Sequence, residues 1–253
     1  MKYIIHIAVS AIIVMLSGCG GGGTNPSATV SVNPGALGIL DTSFNNVGFV
    51  SHDSAAGGTG VDVAESVVID ANGKIVVAGY SSNGLNYDMT LWRYNSDGSL
   101  DTGFNGVGYV THDGAAGGSG ADAGVSVTID ANAKIVVAGY SFNGTDSDMT
   151  LWRYNSNGTL DTSFNTTGYV SHDNAAGGAG NDRGNALVID TDGKIVVAGY
   201  SSNGADFDMA LWRYNSNGTL DPSIVHHNAA GGTGSARARA GAVGSDYPGG
   251  AWC

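Results

Sequence analysis

Charge, glutamate, cysteine and proline are all scarce in this chain. Charged residues make up 13% of it, about half of the roughly 25% usual in soluble domains, and Glu65 is the only glutamate. With 42 glycines among 253 residues, that lack of helix formers excludes a helical bundle or coiled coil. The glycines follow no Gly-X-Y period and proline occurs only 4 times, so a collagen-like chain is excluded too. Basic residues number 10 against 22 acidic ones, for a net charge of −12. No basic footprint is left for phosphate, which argues against nucleic acid as a partner. The 2 cysteines, Cys19 and Cys253, are too few for a disulfide framework, so stability must come from core burial. No Walker loop, zinc-ligand spacing or nucleophile elbow is present.

One long apolar run is present, Ile4 to Met15, broken only by His6 and Ser10. It is shorter than the ~20 residues of a spanning helix, and Lys2 precedes it as in a secretory signal. Leu16-Ser17-Gly18-Cys19 follows and resembles a bacterial lipobox. That resemblance implies cleavage before Cys19, with Cys19 as the lipidation site and the membrane as a partner through its acyl chains. Residues 1–18 are therefore read as a signal peptide and 19–38 as the lipidated cysteine with a Gly-rich tether. Gly20 after the cysteine leans the address toward the outer membrane of a bacterial cell envelope, and exposure of the folded part at the cell surface is compatible with that address.

Beyond the tether the chain repeats itself. Leu40-Asp41-Thr42 returns as Leu100-Asp101-Thr102 and Leu160-Asp161-Thr162, a period of 60 without slip, and Leu220-Asp221-Pro222 opens a fourth copy. Across the three complete copies 36 of 60 positions are identical, including every Lys-Ile-Val-Val-Ala-Gly-Tyr-Ser and Leu-Trp-Arg-Tyr-Asn-Ser. Such a period marks an array, propeller or solenoid. Each copy reads as four short strands, in the first copy Val47–His52, Ser66–Asp70, Lys74–Ser81 and Asp88–Tyr94. Ala71-Asn72-Gly73 supplies a hairpin turn, because Asn and Gly accept positive φ. Ile75-Val76-Val77-Ala78, apolar on both faces, predicts an inner strand with packed neighbours on each side.

Four strands per unit point to an all-β fold of β-propeller blades, with a β-helix as the alternative. Leu100-Asp101-x-x-Phe104-Asn105-x-x-Gly108, Asp192-Gly193-Lys194-Ile195-Val196-Val197-Ala198-Gly199 and Arg153-Tyr154-Asn155-x-x-Gly158-x-Leu160-Asp161 resemble the delta-60 repeat of bacterial β-propellers. The resemblance implies a fold of four antiparallel strands per blade and brings no catalytic residues with it. Residues 39–234 are assigned to these repeats, as three complete copies and a degenerate fourth, and 235–253 to an irregular Gly/Ala-rich tail. Propellers close with roughly four to eight blades, so a truncated array with open blade edges and self-association is expected.

Three sets of recurring residues are candidate sites. Gly-Gly-x-Gly-x-Asp, ending in Asp62, Asp122 and Asp182, matches the first six positions of the calcium-binding nonapeptide, so calcium is a possible ligand there. Copies of that motif share calcium when stacked nine residues apart, whereas here they stand 60 apart, which favours a plain loop and no cofactor. Trp92, Trp152 and Trp212 either stack on sugars or fill the space between blades. His52, His112 and His172 either ring a transition metal or recur through duplication alone. Arg93, Arg153 and Arg213 are expected to pair with aspartates such as Asp88, Asp148 and Asp208. Together these features predict an exported lipoprotein with a noncatalytic β-propeller binding or structural module, for an extracellular glycan or protein. The alternative is an enzyme acting on extracellular polysaccharide.

Overall fold

The computed structural model describes residues 39–221. The signal, lipidation site and tether, and the degenerate fourth copy and tail from residue 222 onward, lie outside the described residues. Within that span the chain forms eleven strands in three antiparallel sheets, with no helix. The first sheet contains β1 (Asp62–Ile69), β2 (Ile75–Ser82), β3 (Tyr87–Tyr94) and β4 (Tyr109–His112), paired in that order. β5 (Ala123–Ile129), β6 (Ile135–Phe142), β7 (Ser147–Tyr154) and β8 (Tyr169–His172) form the second. The third has β9 (Arg183–Ile189), β10 (Ile195–Ser202) and β11 (Phe207–Tyr214). These are the antiparallel blades of an all-β propeller, as the repeat pattern predicts.

The hairpins form where turn chemistry demands them. Asp70 Oδ1 accepts the backbone N–H groups of Asn72 and Lys74, both at 2.8 Å, and Asp130 and Asp190 repeat the arrangement. This Asx-type closure explains why an aspartate precedes the turn in every copy.

The phase of the repeat differs from the sequence reading. Val47–His52, expected as the first strand of its copy, is not a strand. Its counterparts, β4 and β8, are the outermost strands of the preceding sheets, where Tyr109 pairs with Trp92 and Tyr169 with Trp152. A strand exists only where a partner accepts its hydrogen bonds, and Val47–His52 has no earlier sheet among the described residues. The first and second sheets are therefore each completed by the copy that follows.

Successive sheets pack face to face in chain order, with β1 against β5 and β5 against β9. One apolar cluster joins Val76, Ala78, Met89 and Leu91 of the first sheet to Val127, Ile135, Val137, Trp152 and Tyr154 of the second. A second cluster repeats the interface, with Val136, Ala138, Met149 and Leu151 against Leu187, Ile195, Val197, Trp212 and Tyr214. Ile135 to Ala138 of the middle sheet are buried on both faces, whereas in each end sheet alternate residues of the same motif are only partly buried. The position of Val67 shows the same effect: it is 59% exposed, but its counterpart Val127, covered by the first sheet, is 7% exposed. Each fully buried aliphatic side chain contributes roughly 1.5–3 kcal/mol, so the interfaces between sheets carry the core.

Candidate functional site

Strand alternation gives each sheet two rims. At one lie the β1–β2 turn and the β3–β4 connection; at the other lie the β2–β3 turn and the loop from β4 into the next sheet. Most of the invariant charged residues meet at the first rim. Asp101 Oδ2 accepts from Arg93 Nε at 2.8 Å and lies 3.1 Å from Lys74 Nζ. Asp161 repeats this with Arg153 and Lys134, and Asp221 with Arg213 and Lys194. The arginines thus pair with the aspartate of the Leu-Asp-Thr motif, not with Asp88, Asp148 or Asp208 as expected from the strand pattern. The reason is local: the chain leaving β3 doubles back through an isolated bridge, Tyr94 to Leu100, which sets Asp101 beside Arg93, as Tyr214 to Leu220 sets Asp221 beside Arg213. Arg93 and Arg153 also lie over the Phe104 and Phe164 rings, each at 4.7 Å, and donate to the Ser156 and Ser216 carbonyls of the following copy. Burial alone would raise the Asp161 pKa, but the Ser163 hydroxyl, Lys134 and Arg153 outweigh it and hold the carboxyl at about 2. The first rim is a structural latch between copies.

The tryptophans are buried, and the histidines lie half-buried beside them. Trp92, Trp152 and Trp212 are buried, with no indole face open for a sugar. His112 packs against Trp152 at 6.2 Å and Tyr169 at 5.1 Å, and its Nδ1 lies 3.3 Å from the Tyr154 hydroxyl. His52 and His172 keep the same contact with Trp92 and Trp212. Burial lowers the pKa of all three histidines. His112 and His172 end the outermost strands β4 and β8, so they stand at the perimeter, where no ring of imidazoles converges. Among the described residues no histidine takes part in a metal-competent cluster.

At the second rim, the Gly-Gly-x-Gly-x-Asp loops dock on the end of the second strand of the sheet they enter. Gly118 N donates to Phe142 O at 3.0 Å, and a Cβ on Gly118 would stand 2.4 Å from Gly144 N, so close backbone approach requires the glycine there. Asp122 and Asp182 are fully buried and fold back over their own loops, Oδ2 accepting from Gly114 N at 2.8 Å and Asn174 N at 3.0 Å. Asp62 does the same with Ser54 N at 3.0 Å. The other oxygen, Oδ1, is buried without a hydrogen-bond donor in all three. Burial, with Asp113 or Asp173 alongside, raises the Asp122 and Asp182 pKa values.

This rim also gathers carboxylates that the sequence reading did not connect with one another. Carboxylate oxygens of Asp146, Asp148 and Asp173 lie within 4.8 Å of one another. Asp146 and Asp148 flank Ser147 at the start of β7, and Asp173 follows β8. The only sequence signal was the Asp-x-Asp spacing, which places two side chains on one side of a strand.

Comparison with known proteins agrees with this architecture. Residues 71–104, 132–164 and 191–223 match a family model described as a domain of unknown function (DUF5122) beta-propeller. One segment of each copy is thus similar to this β-propeller repeat. Each match runs from the β1–β2 turn, or its counterpart, through the residues that form the latch. No curated protein matches the chain. Among solved structures, a fucose lectin from Kordia zhangzhouensis in complex with methyl-fucoside is 11% identical, covers 64% of this chain and 99% of that chain, and has a TM-score of 0.37. Each matched segment spans the second and third strands of a sheet together with the latch residues.

Proposed function

We propose that this chain is a noncatalytic binding module of the bacterial cell envelope, held to the outer membrane by acylated Cys19 and presenting its second rim to an extracellular glycan or protein. The observation that carries the binding role is a fixed scaffold whose exposed second-rim loops change side-chain chemistry from copy to copy. The latch residues Lys74, Arg93 and Asp101 are identical in all three copies, as are the packing residues Trp92, Tyr94 and Leu91. Turn positions differ at both rims, as with Gly73, Ala133 and Gly193 at the first, and at the second rim they are Leu85, Thr145 and Ala205; Tyr87, Ser147 and Phe207; Thr59, Ser119 and Ala179; Val61, Ala121 and Asn181. Leu85 is 96% exposed. A rigid scaffold with variable exposed loops is the usual placement of a recognition surface. The membrane address is supported by the lipobox-like Leu16-Ser17-Gly18-Cys19.

Two measurements test this reading. Radiolabelled palmitate is expected to label the wild type expressed in a bacterial host and to fail to label Cys19→Ser. A glycan and protein array is expected to give binding that weakens when Leu85 and Tyr87 are changed to Ser. Release of reducing ends from a polysaccharide, abolished by changing one aspartate, would establish the enzymatic reading instead.

A further inference from the structure

We infer that the two ends of the row of sheets are the two halves of one interface, and that two copies of this chain join head to tail at both ends into a closed ring of sheets. The inference stands apart from what the second rim binds.

Each end exposes what the other end covers elsewhere in the chain. On the outer face of the third sheet, Val196, Ala198 and Leu211 are only partly buried and Met209 is 37% exposed. Their counterparts in the first and second sheets are buried against the sheet that follows. On the outer face of the first sheet, Val67 and Ile69 are exposed and Ile75 and Val77 are half-buried. The counterparts of Val67, Ile75 and Val77 in the second and third sheets are buried against the sheet that precedes. The chain therefore joins this pair of faces twice within itself and leaves one face of each kind over. Seating the third sheet of one copy on the first sheet of another repeats the same interface a third time.

The strands show the same complementary deficit. β11 is the outer strand of its sheet, on the side where β3 and β7 carry β4 and β8. Residues 49–52, the counterparts of β4 and β8, have no sheet to join, yet they are already positioned. His52 packs on Trp92 and Tyr109 as His112 packs on Trp152 and Tyr169. Asn45 N donates to Asp97 O as Asn105 N does to Asn157 O. Phe49 meanwhile is 57% exposed. Laid along β11 of a second copy, residues 49–52 would set Phe49 opposite Trp212 and His52 opposite Met209, the register of Tyr109 with Trp92 and His112 with Met89. One contact thus pairs an open strand edge and covers two apolar faces. At the joint Asp221, buried between Arg213 and Lys194, keeps its place, and the exposed Asp41, bonded to Ser43, gives way.

Ring size follows from the blade count. A head-to-tail contact is finite only if its rotation closes, and propellers close with roughly four to eight blades. Each copy brings three sheets, so two copies fall inside that range and three fall outside it. Residues 222–253 of the same chain compete for the β11 edge, but they lack the Lys-Ile-Val-Val run that builds the opposing sheet face.

Native mass spectrometry of the full chain released from detergent micelles tests the stoichiometry, with twice the chain mass expected. Ser51→Cys combined with Ala210→Cys tests the register, because their counterparts Ser171 and Thr150 touch across β7 and β8 at 2.9 Å. In a Cys253→Ser background, mild oxidation is expected to link two chains in the double variant and in neither single variant. Val67→Asp alters a side chain that is exposed in the single chain, and should weaken the dimer about tenfold or more by placing a charge in an apolar interface. Circular dichroism establishes that each variant is folded; if Val67→Asp does not fold, the oxidation experiment decides. A folded wild type with the mass of one chain, or of three or more, would overturn the inference. So would oxidation that gives only a link within one chain, or a folded Val67→Asp that dimerises as tightly as the wild type.

Discussion

Ala133 sits at φ 58°, where its counterparts Gly73 and Gly193 sit at 75°. An L-residue in the left-handed region costs about 1–2 kcal/mol, part of which glycine returns through its greater freedom in the unfolded chain. Ala133→Gly should therefore stabilise the protein by about 1 kcal/mol, read as a higher urea midpoint at unchanged slope; a lower midpoint would contradict the turn geometry. The latch makes a second residue-scale prediction. Asp161 is held at about 2, below the ~3.9 of an unfolded aspartate, so the unfolded chain binds the proton more readily. The resulting stability, on the order of 2 kcal/mol, is present above about pH 4 and lost as pH falls from about 4 toward 2. In Asp161→Asn that part of the acid transition should vanish. The variant should also lose about 3 kcal/mol at pH 7, because Arg153 and Lys134 are left without their anion. The invariance of Leu-Asp was legible in the sequence, but its partner was not: alternation along one strand says which side Arg153 faces and nothing about which later segment returns to meet it.

Among the elements, the inner hairpins depend on a bulge. β5 and β6 shift register between Gly124 and Ser126, and β9 and β10 do so opposite Gly199. A Cβ on Gly139 would stand 1.9 Å from the Ala123 carbonyl oxygen. Gly139→Ala should force β5 from β6 and cost 3 kcal/mol or more, seen in thermal unfolding as a fall of several degrees or as failure to fold. A variant as stable as the wild type would show that the hairpin closes differently. The three long strands of each copy were legible because their apolar runs and turn residues are local signals. The fourth was legible as a strand but assigned to its own copy, because the segment shows an extended pattern while its hydrogen-bond partner lies in the copy before it.

For the whole molecule, position in the row of sheets decides what a residue contributes. Leu151 is fully buried between the second and third sheets, whereas the identical Leu211, on the far face of the third, is only partly buried. In the separated single chain, Leu151→Ala should cost about 3 kcal/mol and Leu211→Ala roughly half of that. Equal losses in chemical denaturation would mean that the third sheet's outer face is covered as completely as the second's. By itself the sequence determined the period, the strands with their turns, and the blade class, because hydrophobic alternation and Asp-Asn-Gly turn chemistry act over a few residues. Only the tertiary structure decided which copy completes the first two sheets, which aspartate latches each arginine, and that Asp146, Asp148, Asp173 and Asp182 share one rim. Those juxtapositions join residues up to 36 positions apart, and they arise from hydrogen-bond pairing and face-to-face burial between copies, which no local pattern encodes.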